Sequence, residues 1–293
     1  MSDTPAPGKL VIVLLVTVLI GALVAWAGSD GGVVVGDLPL FALCAVLAYA
    51  INWLVYLPSM LNQSEKFFDL TGGVTYIAVT ATAVLLAGDL DTRAMIVAAM
   101  VMIWAFRLAT FLFMRISRDG KDGRFDNIKT LPLRFLLTWT LQGLWVVLTA
   151  ACALAIITGG VREPIGVVAM IGIGVWLLGF IIEVVADAQK SAFKKDPANA
   201  GRFIKTGLWS WSRHPNYFGE IVLWIGVAII ALPVLQGWQF VTLISPVFVT
   251  FLLTKVSGIP MLEKRAQERW GAEPEFQAYT QNTSVLIPLP PKQ

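Results

Sequence analysis

Long apolar runs separated by short polar connections set the pattern of this 293-residue chain. They fall at roughly Leu10–Ala27, Leu38–Leu57, Leu70–Ala87, Ala94–Met114, Leu131–Ile157, Ile165–Val185, Phe218–Leu232 and Phe240–Thr254. A bilayer core of ~30 Å takes ~20 helical residues, so the pattern predicts about eight spans, or seven if the short seventh run does not cross. Lipid leaves no water to pair backbone groups, which restricts such segments to helices or closed barrels. Their length selects helices. The expected fold is all-α, a polytopic transmembrane helical bundle. The first run has the outline of a signal peptide, but its apolar core is long and "AWAGSDGG" is an ambiguous cleavage site, so a retained span is expected. No internal repeat, coiled coil or low-complexity tract is evident.

Composition agrees: 57% of residues are hydrophobic, 14% are charged, and the mean hydropathy is +0.73. Such a chain buries its surface in lipid rather than in one aqueous core. Cys44 and Cys152 both lie in apolar runs, where a thiol behaves as a small hydrophobe, so no disulfide is expected. The net charge of +3 is too small to suggest a nucleic-acid partner. Nothing in the chain points to a protein partner.

The placement of charge says more than its sum. The connection after the fourth run carries Arg115, Arg118, Lys121, Arg124, Lys129 and Arg134. The one after the sixth carries Lys190, Lys194, Lys195, Arg202, Lys205 and Arg213. The tail adds Lys264, Arg265 and Arg269, and Lys9 and Lys66 fall on the same side. Connections after the first, third, fifth and seventh runs hold only Arg93 and Arg162. Cytoplasmic loops carry the excess of Lys and Arg, so both termini are expected in the cytoplasm, of a bacterial inner membrane.

The polar content thus gathers at one mouth, and its densest part is "GLWSWSRHPNYFGEIVLWIG" at 207–226. Pro215 suits the first position of a helix, because its missing N–H would be unpaired there anyway. The amides of Asn216, Tyr217 and Phe218 would then face the cytoplasm beside Arg213, an anion site suited to phosphate. Asn216 and Glu220 share a helix face, which carries Glu220 below the interface, where an ionisable group is by default a functional candidate. The alternative is an ion pair of Glu220 with Arg107 or Lys255. Glu183 and Asp187, also four apart, could hydrogen-bond a nucleotide's ribose or amide, or form a solvated helix end. Asp69 and Arg107 read as interhelical glue. His214, the chain's one histidine, makes no metal site and could act as a cap. "LWSW" reads as an interfacial belt rather than a base-stacking box.

"GLWSWSRHPNYFGE" and the tail "GIPMLEKRAQERWGAEPEFQAYTQNTSVLIPLP" resemble the C-terminal half of the steroid 5-alpha-reductase-like membrane reductases. The similarity is greatest to their bacterial branch, long of unknown function. "EKFFDLTGG" at 65–73 and "WAFRLATFLFMRISRDGKDGRF" at 104–125 share it. The resemblance covers the chain from about residue 60, giving a reductase-like region over 61–293; the two helices within 1–60 match nothing specific. It implies hydride transfer from NADPH to a carbon–carbon double bond conjugated to a carbonyl. The substrate would be an apolar steroid-like or isoprenoid lipid entering from the bilayer. Carried over position by position, the cofactor would meet Asn216, Tyr217 and Glu220 of the Asn-x-x-Gly-Glu segment, Asp187 and Arg202, with Arg213 and His214 beside them. Glu183 stands where the family has asparagine. Glu65 corresponds to the catalytic glutamate. Trp104 falls where the family's tyrosine is expected, leaving Tyr76 and Tyr217 as candidate proton donors. Isoprenylcysteine and phospholipid methyltransferases share Arg-His-Pro-x-Tyr-x-Gly and bind S-adenosylmethionine, a second reading; a transporter or structural membrane protein is a third. The twelve basic residues in two loops and the Gly219–Glu220 step favour the more anionic NADPH.

Overall fold

In the computed structural model, residues 6–119, 123 and 125–291 are described. Lys121 and Arg124 of the basic loop, and the side chain of Arg118, lie outside what is described. The chain is a helical membrane protein: among the described residues seven helical stretches are long and apolar enough to cross a bilayer, and Pro215–Ala231 is a shorter apolar helix. The helices are α1 (Pro7–Gly28), α2 (Leu40–Leu61), α3 (Phe68–Leu86), α4 (Thr92–Asp119), α5 (Pro132–Thr158), α6 (Val167–Lys195), α7 (Pro215–Ala231), α8 (Ile244–Phe251), α9 (Ile259–Trp270) and α10 (Pro274–Asn282). Each apolar run of the sequence falls on one of them, so the all-α expectation holds. The eighth run joins a larger stretch, Gly237–Trp270, in which α8 is continued by a π-helical turn at Leu252–Val256. The other notable difference is α6, which continues past the apolar limit at Val185 to Lys195.

The helices form two compact units. The first holds Met1–Gly166 and Ala231–Ser245, with α5 at its centre: every residue from Val146 to Thr158 is buried. Close approach is what binds helices in lipid, since tails are as apolar as side chains. Gly143 lets Tyr49 lie against α5, and Gly73 admits Ala109 of α4. A tight turn with Gly36 at φ +61° joins the two-residue strands β1 (Val34–Val35) and β2 (Leu38–Pro39) between α1 and α2. The two arginines of the sparsely charged side are spent on backbone carbonyls. Arg162 donates to the carbonyls of Ile156 and Ile157 at 2.8 and 3.1 Å, at the negative end of α5, and buried Arg93 donates to that of Pro164 at 2.8 Å. Cys44 and Cys152 are buried free thiols.

The second unit holds Val167–Ile230 and Pro246–Gln293. Here α6 and α7 run antiparallel in backbone contact. A Cβ at Gly179 would lie 2.6 Å from the carbonyl oxygen of Gly219, and one at Gly226 would lie 2.6 Å from the amide nitrogen of Trp176. Glycines seven apart on both helices, Gly172 and Gly179 against Gly219 and Gly226, form this seam. Beyond it α9, α10 and the tail after them fold back along the segment that leads into α7.

Candidate functional site

The seam sets the register that assembles a polar end on the second unit. Proceeding outward from Gly179, α6 presents Glu183 and then Asp187, both buried, while α7 presents Gly219 and then Asn216. Asn216 Nδ2 donates to Asp187 Oδ1 at 3.2 Å. Two residues chosen from sequence on separate helices are therefore joined. Glu220 lies one turn further in on the Asn216 face, half-buried.

The entry into α7 is held from three directions. Ser212 Oγ accepts the amide of His214 at 3.1 Å, and the Arg213 amide donates to the carbonyl of Ser284 at 2.8 Å. Phe218 N–H already donates to the carbonyl of His214 at 3.1 Å, closing the first helical turn. Of the three amides expected to face an anion, Phe218 is thus withdrawn. The His214 and Tyr217 rings stack with centroids 5.7 Å apart and planes 9° from parallel. Tyr217 also lies against Gly258, where a Cβ would stand 3.0 Å from Cε2.

Sequence reasoning missed Glu263 of α9. Its Oε2 takes Arg213 Nη1 at 2.8 Å and its Oε1 meets His214 Nε2 at 2.7 Å. Burial pushes the His214 imidazole below its usual pKa, against the hydrogen bond and charge of Glu263, which hold it up. A neutral ring facing a carboxylate through Nε2 carries its proton there, which makes Nδ1 an acceptor. Nδ1 is buried and has no hydrogen-bond partner among the described residues. The signal for Glu263 was present in the tail segment "GIPMLEKRAQERW", but its charge was masked there by Lys264 and Arg265. Tyr279, also unmarked in the sequence, donates its hydroxyl to the carbonyl of Trp209 at 2.7 Å, and burial pushes its phenol pKa up.

Arg202 stands apart from this cluster. It is exposed on the loop near Glu275, whose carboxylate Lys205 binds. Trp209 is buried, donates Nε1–H to the carbonyl of Ala186 at 3.0 Å, and carries Lys190 over its ring at 4.3 Å, whereas Trp211 is exposed.

Glu65 and Tyr76 lie in the first unit and are not brought together. Glu65 precedes α3 and its Oε2 receives Lys129 Nζ at 2.7 Å. Tyr76 is buried two turns further along α3, which at ~1.5 Å per residue is more than ~12 Å away along the axis. Its ring meets Trp104 edge-on at 5.1 Å, so the position that lacks the expected tyrosine has another tyrosine against it. Asp69 pairs with Arg115 of α4 at 3.5 Å, the interhelical role expected of it, while Arg107 lies over the Phe111 ring at 5.4 Å.

A family model described as "Protein of unknown function (DUF1295)" matches residues 55–283. The chain belongs to this family. The match spans both units and every candidate residue named above. Among curated relatives, 3-oxo-5-alpha-steroid 4-dehydrogenase 1 of Macaca fascicularis is 31% identical over 122 residues, 41% of this chain and 40% of that protein. An uncharacterized protein of Schizosaccharomyces pombe is 27% identical over 161 residues, 45% of this chain and 46% of that protein. A probable O-methyltransferase of Ustilaginoidea virens is 28% identical over 97 residues, 30% of this chain and 34% of that protein. The chain therefore spans less than half the length of each of these relatives. No solved structure matches significantly. The resemblance to the steroid 5-alpha-reductase-like family, with methyltransferases as kin, is upheld.

Proposed function

We infer that the protein is an integral membrane oxidoreductase that uses NADPH to reduce a carbon–carbon double bond conjugated to a carbonyl in an apolar, steroid-like or isoprenoid, substrate. The observation that carries this reading is the bond between Asn216 and Asp187. It joins two positions that the reductase resemblance assigns to the cofactor, beside the start of α7. The residues present suit such a ligand. Asp187 and Glu183 are acceptors for ribose hydroxyls, the Asn216 and Tyr217 amides suit a pyrophosphate, and His214 Nδ1 is a buried acceptor for an N–H or O–H. Arg213 contributes less net charge than the sequence suggested, because Glu263 already binds its guanidinium, so exposed Arg202 is the stronger candidate for a peripheral phosphate.

When bound, NADPH would supply the hydride. The protein's part is to orient the nicotinamide and to stabilise charge developing on the substrate oxygen. The candidate phenols for protonation are Tyr217, on the unit that carries the cofactor residues, and Tyr76, which lies against Trp104. Glu65 is a weaker candidate for the same step than its motif implied, since Lys129 occupies its carboxylate.

The test is direct titration of the detergent-purified protein with NADPH and with S-adenosylmethionine, followed by turnover of an apolar enone. NADPH binding that weakens at least ~10-fold in Asp187→Asn and Asn216→Ala is expected, the scale of one charge-assisted hydrogen bond. Selective binding of S-adenosylmethionine, lost in the same variants, would replace the reductase by a methyltransferase, a reading that the Ustilaginoidea virens relative favours.

A further inference from the structure

After α10 the chain forms a single bridge between Ser284 and Ser212, then curves through bends at 285–287 to Leu289, staying close to the segment Trp211–Arg213. Three backbone-anchored contacts hold it: the Arg213 amide to the carbonyl of Ser284 at 2.8 Å, Ser212 Oγ to the carbonyl of Leu286 at 2.8 Å, and the Leu289 amide to the carbonyl of Trp211 at 3.1 Å. The even positions are partly covered, and the odd ones, Val285, Ile287 and Leu289, are 41%, 57% and 53% exposed, next to Trp211 at 47%. The result is three exposed aliphatic side chains on a curved segment fastened by its backbone to that of exposed Trp211.

The depth of this face follows from α6. Its apolar stretch Val167–Val185 is 19 residues, interrupted only by buried Glu183, and ~1.5 Å per residue makes it about as long as the hydrocarbon core is thick. The segment that holds the tail is fastened just where that stretch ends: Trp209 Nε1 to the carbonyl of Ala186 at 3.0 Å, and the Leu208 amide to Gln189 Oε1 at 2.9 Å. Lys190 follows, its ammonium over Trp209. Tryptophan and a snorkelling lysine at this level are the residues of a headgroup boundary.

We propose that Val285, Ile287 and Leu289, with Trp211, form an interfacial lipid-binding segment that inserts into the headgroup–acyl boundary of the same membrane. This goes beyond the catalytic reading and does not depend on it. The segment that meets the lipid is also the one whose Ser284 carbonyl accepts the Arg213 amide, so lipid contact is transmitted to the entry of α7 by the backbone.

The experiment places an environment-sensitive fluorophore at Ile287→Cys, with Leu289→Cys as a second variant on the same segment and Lys264→Cys on α9 as the aqueous reference. The full chain is reconstituted in phosphatidylcholine–phosphatidylglycerol vesicles, and buried Cys44 and Cys152 stay unlabelled. A nitroxide carried near the glycerol end of the lipid should quench the Ile287 and Leu289 labels several-fold more than the Lys264 label, and iodide several-fold less, at every protein-to-lipid ratio. Iodide quenching equal to that at Lys264 would overturn the proposal. So would protection that disappears on dilution into excess lipid, which would make the face a contact between two copies. Melting temperatures of the labelled variants confirm that each result comes from folded protein.

Discussion

Glu263 and Arg213 lie 50 residues apart in the chain and face each other at 2.8 Å, while the second oxygen of the same carboxylate takes His214 at 2.7 Å. One carboxylate on α9 therefore holds two consecutive residues at the threshold of α7. Glu263→Gln keeps the shape but removes the charge. Hydrogen bonds to charged groups contribute ~1.5–3 kcal/mol, so the variant should melt several degrees lower in detergent. Arg213 would also be released, and NADPH affinity should change measurably. A melting curve superimposable on that of the wild type would show that the pair contributes no stability.

The lowered pKa of His214 gives a signed prediction. Burial holds it below the ordinary value of 6.5, so the native state binds fewer protons than the unfolded chain. Stability from this group is complete above about pH 6.5 and is lost as pH falls through the depressed value. The melting temperature of the wild type should therefore drop between about pH 7 and pH 5, and His214→Gln should flatten that slope. Equal slopes in both proteins would assign the acid sensitivity to other groups.

Lys129 behaves with the opposite sign. The hydrogen bond it donates to Glu65 raises its pKa above 10.5, so its contribution is present through neutral pH and lost only as pH rises past the raised value. Lys129→Met would leave the buried Glu65 carboxylate without this cation, a change that costs roughly 3–5 kcal/mol when a buried pair is broken. Adding Glu65→Gln should recover part of the loss, as measured by chemical or thermal unfolding. If Glu65 alone fastens the 125–131 loop, Glu65→Gln will lower stability yet spare turnover per folded molecule. If it touches substrate, turnover falls in protein that still melts normally.

The fold was legible where apolar length decided it, and the candidate site where a motif named a residue. The eight apolar runs mark the helices because lipid leaves the backbone no alternative, and Pro215 marks the start of α7 because its ring forbids an earlier turn. The pairing of Asn216 with Asp187 follows from spacing only once α6 and α7 are known to run against each other, and no local pattern states that. Glu263 escaped because a charge in a charged tail is indistinguishable from solvated surface until the tail is folded back. The glycine seam was written in the sequence as seven-residue spacing in two runs. Its meaning lies in which backbone it admits, and that is a tertiary fact.

That seam carries the last prediction. At Gly179 an added methyl would meet the Gly219 carbonyl oxygen at 2.6 Å, a backbone atom that cannot move without separating the helices. Gly174, on the same helix, has nothing within 4 Å of an added Cβ. Gly179→Ala should therefore destabilise the protein, by the ~1–3 kcal/mol typical of overpacking or more. Gly174→Ala should be neutral or stabilising by up to ~1 kcal/mol through helix propensity. The pair controls for the chemistry of the substitution, because both add one methyl to one helix. The effect at Gly179 should also reach the polar end: pushing α7 from α6 lengthens the Asn216–Asp187 hydrogen bond, already 3.2 Å, and cofactor affinity should fall with it. Both quantities are read on the same preparations, by melting temperature and by ligand titration. Equal behaviour of the two alanine variants would mean that the backbone seam does not set the spacing of the site.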